Sequence, residues 1–208
     1  RVYYDERRGM YWTEYDVAYI LYSAEKETVI RGQECRKISK KLDLYCFFRP
    51  RNEYMFSRND SVFFFDAKTD KFQLLYDFNA NTDDHWTILY KDYSESTIDT
   101  VNVHVDSTGI LEVNHQNLKI LYVSYSAKSI YGLRHYHSRI IEKIGDLNFM
   151  FNYYPYYDIA CDGNLSDGLR CYEDADLGNY HVPSMEACDY RHLWTDVSIK
   201  SRSEMNIY

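Results

Sequence analysis

The sequence predicts an all-β protein, an antiparallel meander forming a curved sheet with a barrel-like or two-layer core and few helices. Three observations lead there. Apolar and polar residues alternate with a period of two along most of the chain, most plainly in Val101-Asn102-Val103-His104-Val105-Asp106. The alternating runs are rich in Val, Ile, Phe and Tyr, which suit a pleated, half-buried surface. Short turn signals separate them at 58–60, 66–70, 79–84 and 106–109, with no amphipathic helix of about 12 residues between. That rhythm argues against a parallel βαβ sheet, so consecutive strands should pair as hairpins and curl.

In chain order, the first expected strand is 17–22, followed by 42–48, 61–66 and 72–78, which are dense in Phe, Tyr and Leu. Then come 86–90, 101–106, 110–113 and 119–125, dominated by Val, Ile and Leu, and finally 137–143 and 148–153. Near the start, Trp12, Tyr15, Tyr19 and Tyr22 also fit one face of a short helix. Phe63, Phe65, Leu75, Val103, Val105, Leu121, Val123 and Ile141 are the expected core. Alternation fades late in the chain, so 1–180 reads as one β-rich domain and 181–208 as an extension packed on it or partly disordered.

Composition narrows the class of function. Of 208 residues, Lys+Arg number 24 against Asp+Glu 32, a net charge of −8, which speaks against a nucleic-acid-binding face. No run approaches the roughly 18 apolar residues of a membrane span, so no transmembrane segment is expected. Tyrosine is the main large hydrophobe, with 23 copies against 10 Phe and 3 Trp. The chain opens on Arg1 without a leader, which reads as a mature or trimmed form. None of the five cysteines has CxxC zinc spacing. Cys161 and Cys171 flank a turn-rich Gly/Asp/Asn loop that would return its ends together, so a Cys161–Cys171 disulfide is expected. Cys35 and Cys46 form a weaker pair, Cys188 is left over, and bridges imply export.

Few constellations carry chemistry. His135-Tyr136-His137 would place two imidazoles on one strand face, but no third ligand can be named. Asp162, Asn164, Ser166 and Glu173 have calcium-loop spacing, yet Asp167 stands where the glycine should be. No metal site and no cofactor are predicted. Carboxylate pairs such as Asp83-Asp84 and Glu173-Asp174 read as solvated turns. No nucleophile elbow, P-loop or dinucleotide glycine pattern occurs, so no catalytic residue is named. The sequons at Asn59 and Asn164 carry little weight. Tyr153-Tyr154-Pro155-Tyr156-Tyr157 is the most unusual stretch: neighbours in an extended segment face opposite ways, so some rings must meet solvent or a partner. Tyr153, Tyr154, Tyr156 and Tyr157, extended by Arg170 and Tyr172, are the candidate ligand surface, against the plainer reading that the rings fold back as a lid.

Several segments in order resemble a family of uncharacterised secreted β-rich proteins common in Bacteroidetes. Leu74-Leu75-Tyr76-Asp77-Phe78-Asn79 resembles that group's "LLYDFN" strand, and 54–66 the strand pair before it. Gly32 to Lys37 is similar to an early "G-x-x-Y-x-K" strand with Cys35 in place of the aromatic. Ile141-Glu142-Lys143-Ile144-Gly145 resembles "IEGIG" with Lys143 for Gly, and 161–174 the closing "C-x-x-G…LLCY" segment. The resemblance implies a secreted, periplasmic or cell-surface protein, often a lipoprotein, and supplies no chemistry. The expected function is a non-catalytic binding module for a glycan or protein partner. The alternative is a carboxylate-dependent hydrolase acting on glycans.

Overall fold

The computed structural model describes residues 1–11, 14–42, 52–67, 69–91, 98–129, 132–148, 164–165 and 168–193. Among these the regular structure is all extended, in fourteen strands that pair antiparallel in two sheets. In chain order they are β1 (Val2–Tyr11), β2 (Glu14–Ile30), β3 (Gln33–Leu42), β4 (Asn52–Arg58), β5 (Ser61–Asp66), β6 (Lys71–Asp77) and β7 (His85–Lys91). There follow β8 (Ile98–Val113), β9 (Gln116–Ser129), β10 (Gly132–Ile141), β11 (Gly145–Asp146), β12 (Asn164–Leu165), β13 (Leu169–Asp174) and β14 (Gly178–His181). The larger sheet runs β14-β13-β1-β2-β3-β4-β5-β6, with β12 also against β1; the smaller runs β11-β10-β9-β8-β7. Each is a meander, as the short connections require, except where the late strands β12 and β13 return to pair with β1.

Local chemistry explains the tight hairpins. Arg31-Gly32, Asn59-Asp60 and Asn114-His115 all have positive φ at both residues, the geometry whose twist matches paired strands. Four of these six residues are Gly, Asn or Asp, the types that tolerate it. The expected turn at 106–109 is not one: β8 runs through it, and the register with β9 shifts between Val105 and Ser107 as a β-bulge. Because β9 pairs with both halves of β8, the ladder absorbs one extra residue instead of reversing. The real reversal is Asn114-His115. Tyr15, Tyr19 and Tyr22 lie in β2, so strand pairing with β1 overrides their helical spacing; Trp12 lies outside the described residues.

One hydrophobic cluster joins the two sheets, from Val2, Ile20, Ile38 and Leu75 of the larger to Ile88, Val103, Leu121 and Ile140 of the smaller. Of the expected core, Leu75, Val103, Val105, Leu121, Val123 and Ile141 are buried. Phe63 and Phe65 are not: Phe64 between them is, at 2% exposed. The apolar run Val62 to Phe65 gives no alternation from which to read the inward face, and β5 meets β6 through a bulge at Val62/Phe63. The outward rings find each other instead, Phe63 stacked on Phe56 at 4.9 Å and Phe65 tilted against Phe72 at 5.2 Å.

Side chains stitch the sheet flanks. Gln73 of β6 donates to the Leu89 carbonyl at 2.8 Å and accepts from the Leu89 N–H at 2.6 Å, standing in for a strand between β6 and β7. Opposite, Asn114 donates to the carbonyls of Leu177 and Asn179 at 2.8 and 2.9 Å. Within the expected C-terminal extension, Val182 bonds back to Arg170, and His192 exchanges both backbone bonds with Val17 of β2.

Cys171 is bonded to Cys188, with a Cα–Cα distance of 5.5 Å, and not to Cys161 as expected. Leu169 to Tyr172 pair antiparallel with Tyr4 to Val2 of β1, and the β13–β14 hairpin and the bond from the Val182 N–H to the Arg170 carbonyl bring the 182–193 segment to Cys171. Cys35 is a free, buried thiol; Cys46 and Cys161 lie outside the described residues. The sequence separation of 17 predicts that Cys188→Ser lowers stability by about 3 kcal/mol on the chain-entropy estimate. Urea titration of the oxidised wild type against the variant measures it, and coincident curves would refute it.

Candidate functional site

A cleft of about 860 Å³ opens against the larger sheet. Its floor comes from neighbouring strands of the larger sheet: Tyr22 and Ala24 of β2, Cys35 and Ile38 of β3, Met55 of β4 and Val62 of β5. One wall is Val2 with Tyr172 and Asp174 of β13; the other is Lys143 and Ile144, in the turn between β10 and β11. Alternation places these side chains: Tyr22, Ala24, Ile38 and Met55 sit on strand positions of one phase, broken by the β2 bulge between Ala24 and Glu27. Glu27, Glu34 and Arg36 add charge at the cleft, and Arg36 reaches Glu27 at 3.4 Å.

The polar groups of the cleft are largely committed to the fold. The Tyr172 hydroxyl donates to Asp174, whose Oδ1 also accepts the N–H groups of Asp176 and Leu177 at 3.0 and 2.6 Å. Burial, followed by the bond to Asp174, pushes the Tyr172 phenol well above its ordinary range. Burial alone would raise the Asp174 carboxyl, but the Tyr172 bond and the turn N–H groups outweigh it and hold it below the usual range. Lys143 donates to Asp176 at 2.6 Å and to Gln116 at 2.9 Å, and the Asp176 bond raises its pKa. Burial raises the Cys35 thiol, which therefore stays protonated at neutral pH.

Of the two expected ligand residues among the described ones, Tyr172 lines this cleft and Arg170 does not. Tyr153, Tyr154, Tyr156 and Tyr157 lie outside the described residues. Arg170 is a correction: it is fully buried and bound to Asp5, also fully buried, and it donates to the carbonyls of Ala18 at 2.6 Å and Tyr190 at 2.8 Å. β13 slips against β1 at this residue, with Cys171 opposite Tyr3 and Leu169 opposite Tyr4, so Arg170 departs from simple alternation and meets Asp5 and the 182–193 segment, whereas Tyr172 stands at the cleft. Its role is structural.

Of the calcium-spaced residues, Asn164 and Glu173 lie in β12 and β13, both paired with β1, and Asp162 and Ser166 lie outside the described residues. His135 and His137 do share the exposed face of β10, and His137 stands 3.7 Å from Asp106 of β8. A buried hub that no sequence motif announced is Asp146, at 1% exposure. It accepts from the Tyr125 hydroxyl at 2.6 Å, the Ser138 hydroxyl at 2.7 Å and the Asn148 N–H at 2.7 Å.

No family model, curated protein or solved structure matches the chain. The cleft therefore has to be read from its own chemistry. Apolar side chains floor it, its perturbed carboxylate is held ionised, and its one thiol is held neutral.

Proposed function

We propose that this chain is an exported, non-catalytic binding module whose ligand lies in the cleft on the larger sheet. The observation that carries this is the cleft itself, a concave space of about 860 Å³ with an apolar floor and the charged groups Glu27, Glu34 and Arg36 beside it. Such a lining suits the apolar side of a protein partner's loop better than the hydroxyl-dense faces of a glycan. Export draws its support from the Cys171–Cys188 bridge and from the resemblance to secreted β-rich proteins. Tyr153, Tyr154, Tyr156 and Tyr157 stay within the proposal as a second contact surface.

The alternative, a carboxylate-dependent glycan hydrolase, needs a general acid whose pKa is raised. Asp174 shifts the other way and its oxygens are occupied by the β13–β14 turn. Met55→Trp, which would fill the floor, is expected to weaken binding of a fluorescent apolar probe, anilinonaphthalene sulfonate, by about tenfold at unchanged melting temperature. Equal probe binding by both proteins would overturn the cleft assignment. Glycan turnover abolished by Asp174→Asn would establish the hydrolase instead.

A further inference from the structure

The outer face of the smaller sheet carries an arrangement that the cleft does not use. The registers of β7, β8, β9 and β10 place His85 opposite His104, His104 opposite Ser124, and Ser124 opposite His137. One transverse row thus holds three histidines, all exposed. The β8 bulge sets Asp106 beside this row. Asp106 accepts a hydrogen bond from the Ser124 hydroxyl and lies 3.0 Å from Nδ1 of His104. On the other side, the 81–84 turn is tied to β8 by the Asp83 N–H to the Val105 carbonyl, and brings Asp83 Oδ1 to 3.7 Å from Nε2 of the same imidazole.

His104 is therefore held between two carboxylates. Nδ1 of the ring faces Asp106 and Nε2 faces Asp83, so a cation bound at Nε2 would have the Asp83 carboxylate as its second donor. Two donors on one tetrahedral zinc ion, each about 2.0–2.2 Å away, are separated by about 3.4 Å, close to the spacing found. The Asp106 contact is the outer-shell partner that orients a ligating imidazole.

We propose that this face binds a divalent transition-metal ion of the zinc class through His104 Nε2 and Asp83, with His85 as third donor and Asp106 as the positioning residue. Among the described residues no three donors already share one point. His85 supplies the third by side-chain rotation, since cross-strand neighbours on one face stand about 5 Å apart. The site lies outside the cleft and does not depend on the cleft having a ligand.

Calorimetric titration of the full chain with zinc chloride at pH 7.5 tests it, with imidazole-proton NMR locating the ligands. One ion per chain is expected, with His104→Ala weakening binding at least about 100-fold and Asp106→Asn weakening it about tenfold. His115→Ala, at the β8–β9 turn, should change nothing, and circular dichroism of each variant checks that the sheet is intact. Saturable binding that survives His104→Ala would overturn the proposal. So would resonances of His104 and His85 that do not move up to about 1 mM zinc, the behaviour of a ring that shares only a proton with Asp83.

Discussion

Asp146→Ala is expected to destabilise the protein by about 3–5 kcal/mol, a large share of the 5–15 kcal/mol typical of a domain. Asp146 is the point at which both sheets meet in one polar network. From the smaller sheet, Tyr125 and Ser138 donate to its carboxylate. From the larger, the Tyr4 hydroxyl donates to its carbonyl, and the Tyr76 hydroxyl accepts from its N–H at 3.3 Å. Tyr4 and Tyr76 are wholly buried, and burial first, then neighbouring groups including Asp146, lifts both phenols far above their ordinary range. Both phenols therefore stay protonated at neutral pH. Alanine would remove the acceptor that the buried Tyr125 hydroxyl and the half-buried Ser138 hydroxyl share, which costs more than the bonds themselves contribute. Asp146→Asn keeps the shape and one acceptor oxygen, so it should cost less than half as much. Denaturant titration of the three proteins decides it, and a change below about 1 kcal/mol for alanine would show that the network is not limiting.

The second large effect is at Arg170. Arg170→Met should cost about 3–5 kcal/mol, because it takes from the buried Asp5 carboxylate the guanidinium bound to it, with Arg7 at 2.9 Å left beside it. The same change removes the donor to the carbonyls of Ala18, Ala187 and Tyr190, loosening the 182–193 segment that the disulfide also ties down. Removing both charges, as Asp5→Asn with Arg170→Met, should cost less than the sum of the two single changes, since an uncompensated buried charge is the expensive state. A double-mutant cycle in urea measures the coupling. Strict additivity would mean that the pair contributes no more than its surroundings. The ligand reading of Arg170 makes the opposite prediction, namely lost binding at unchanged stability.

What this chain determined by its sequence alone is what lies within a few residues. Alternation along Val101 to Val105 specifies a strand with three valines inward, and Asn59-Asp60 tolerates the left-handed backbone a tight hairpin needs. From these the all-β antiparallel class follows, because nothing between the strands is long enough to cross over a sheet. Where local signals balance, only tertiary structure decides. Val62 to Phe65 is apolar on both faces, and Phe64 turns inward because the β6 bulge and the stacked outer rings fix the phase.

The site belongs to the second kind. Tyr172 was legible as a surface tyrosine, but Val2, Cys35, Met55 and Lys143 form a cleft only because distant strands converge, and no spacing along the chain records that. Arg170 and Asp146 read locally as surface charges. Each is buried because a partner arrives from far away, Asp5 at a separation of 165 residues and Tyr4 at 142. Cys171 likewise takes Cys188 because the β13–β14 hairpin brings the 182–193 segment to it. Strand and turn are set by the chain's own neighbours, whereas burial of a charge and the partner of a thiol are set by which distant segments the two sheets bring together.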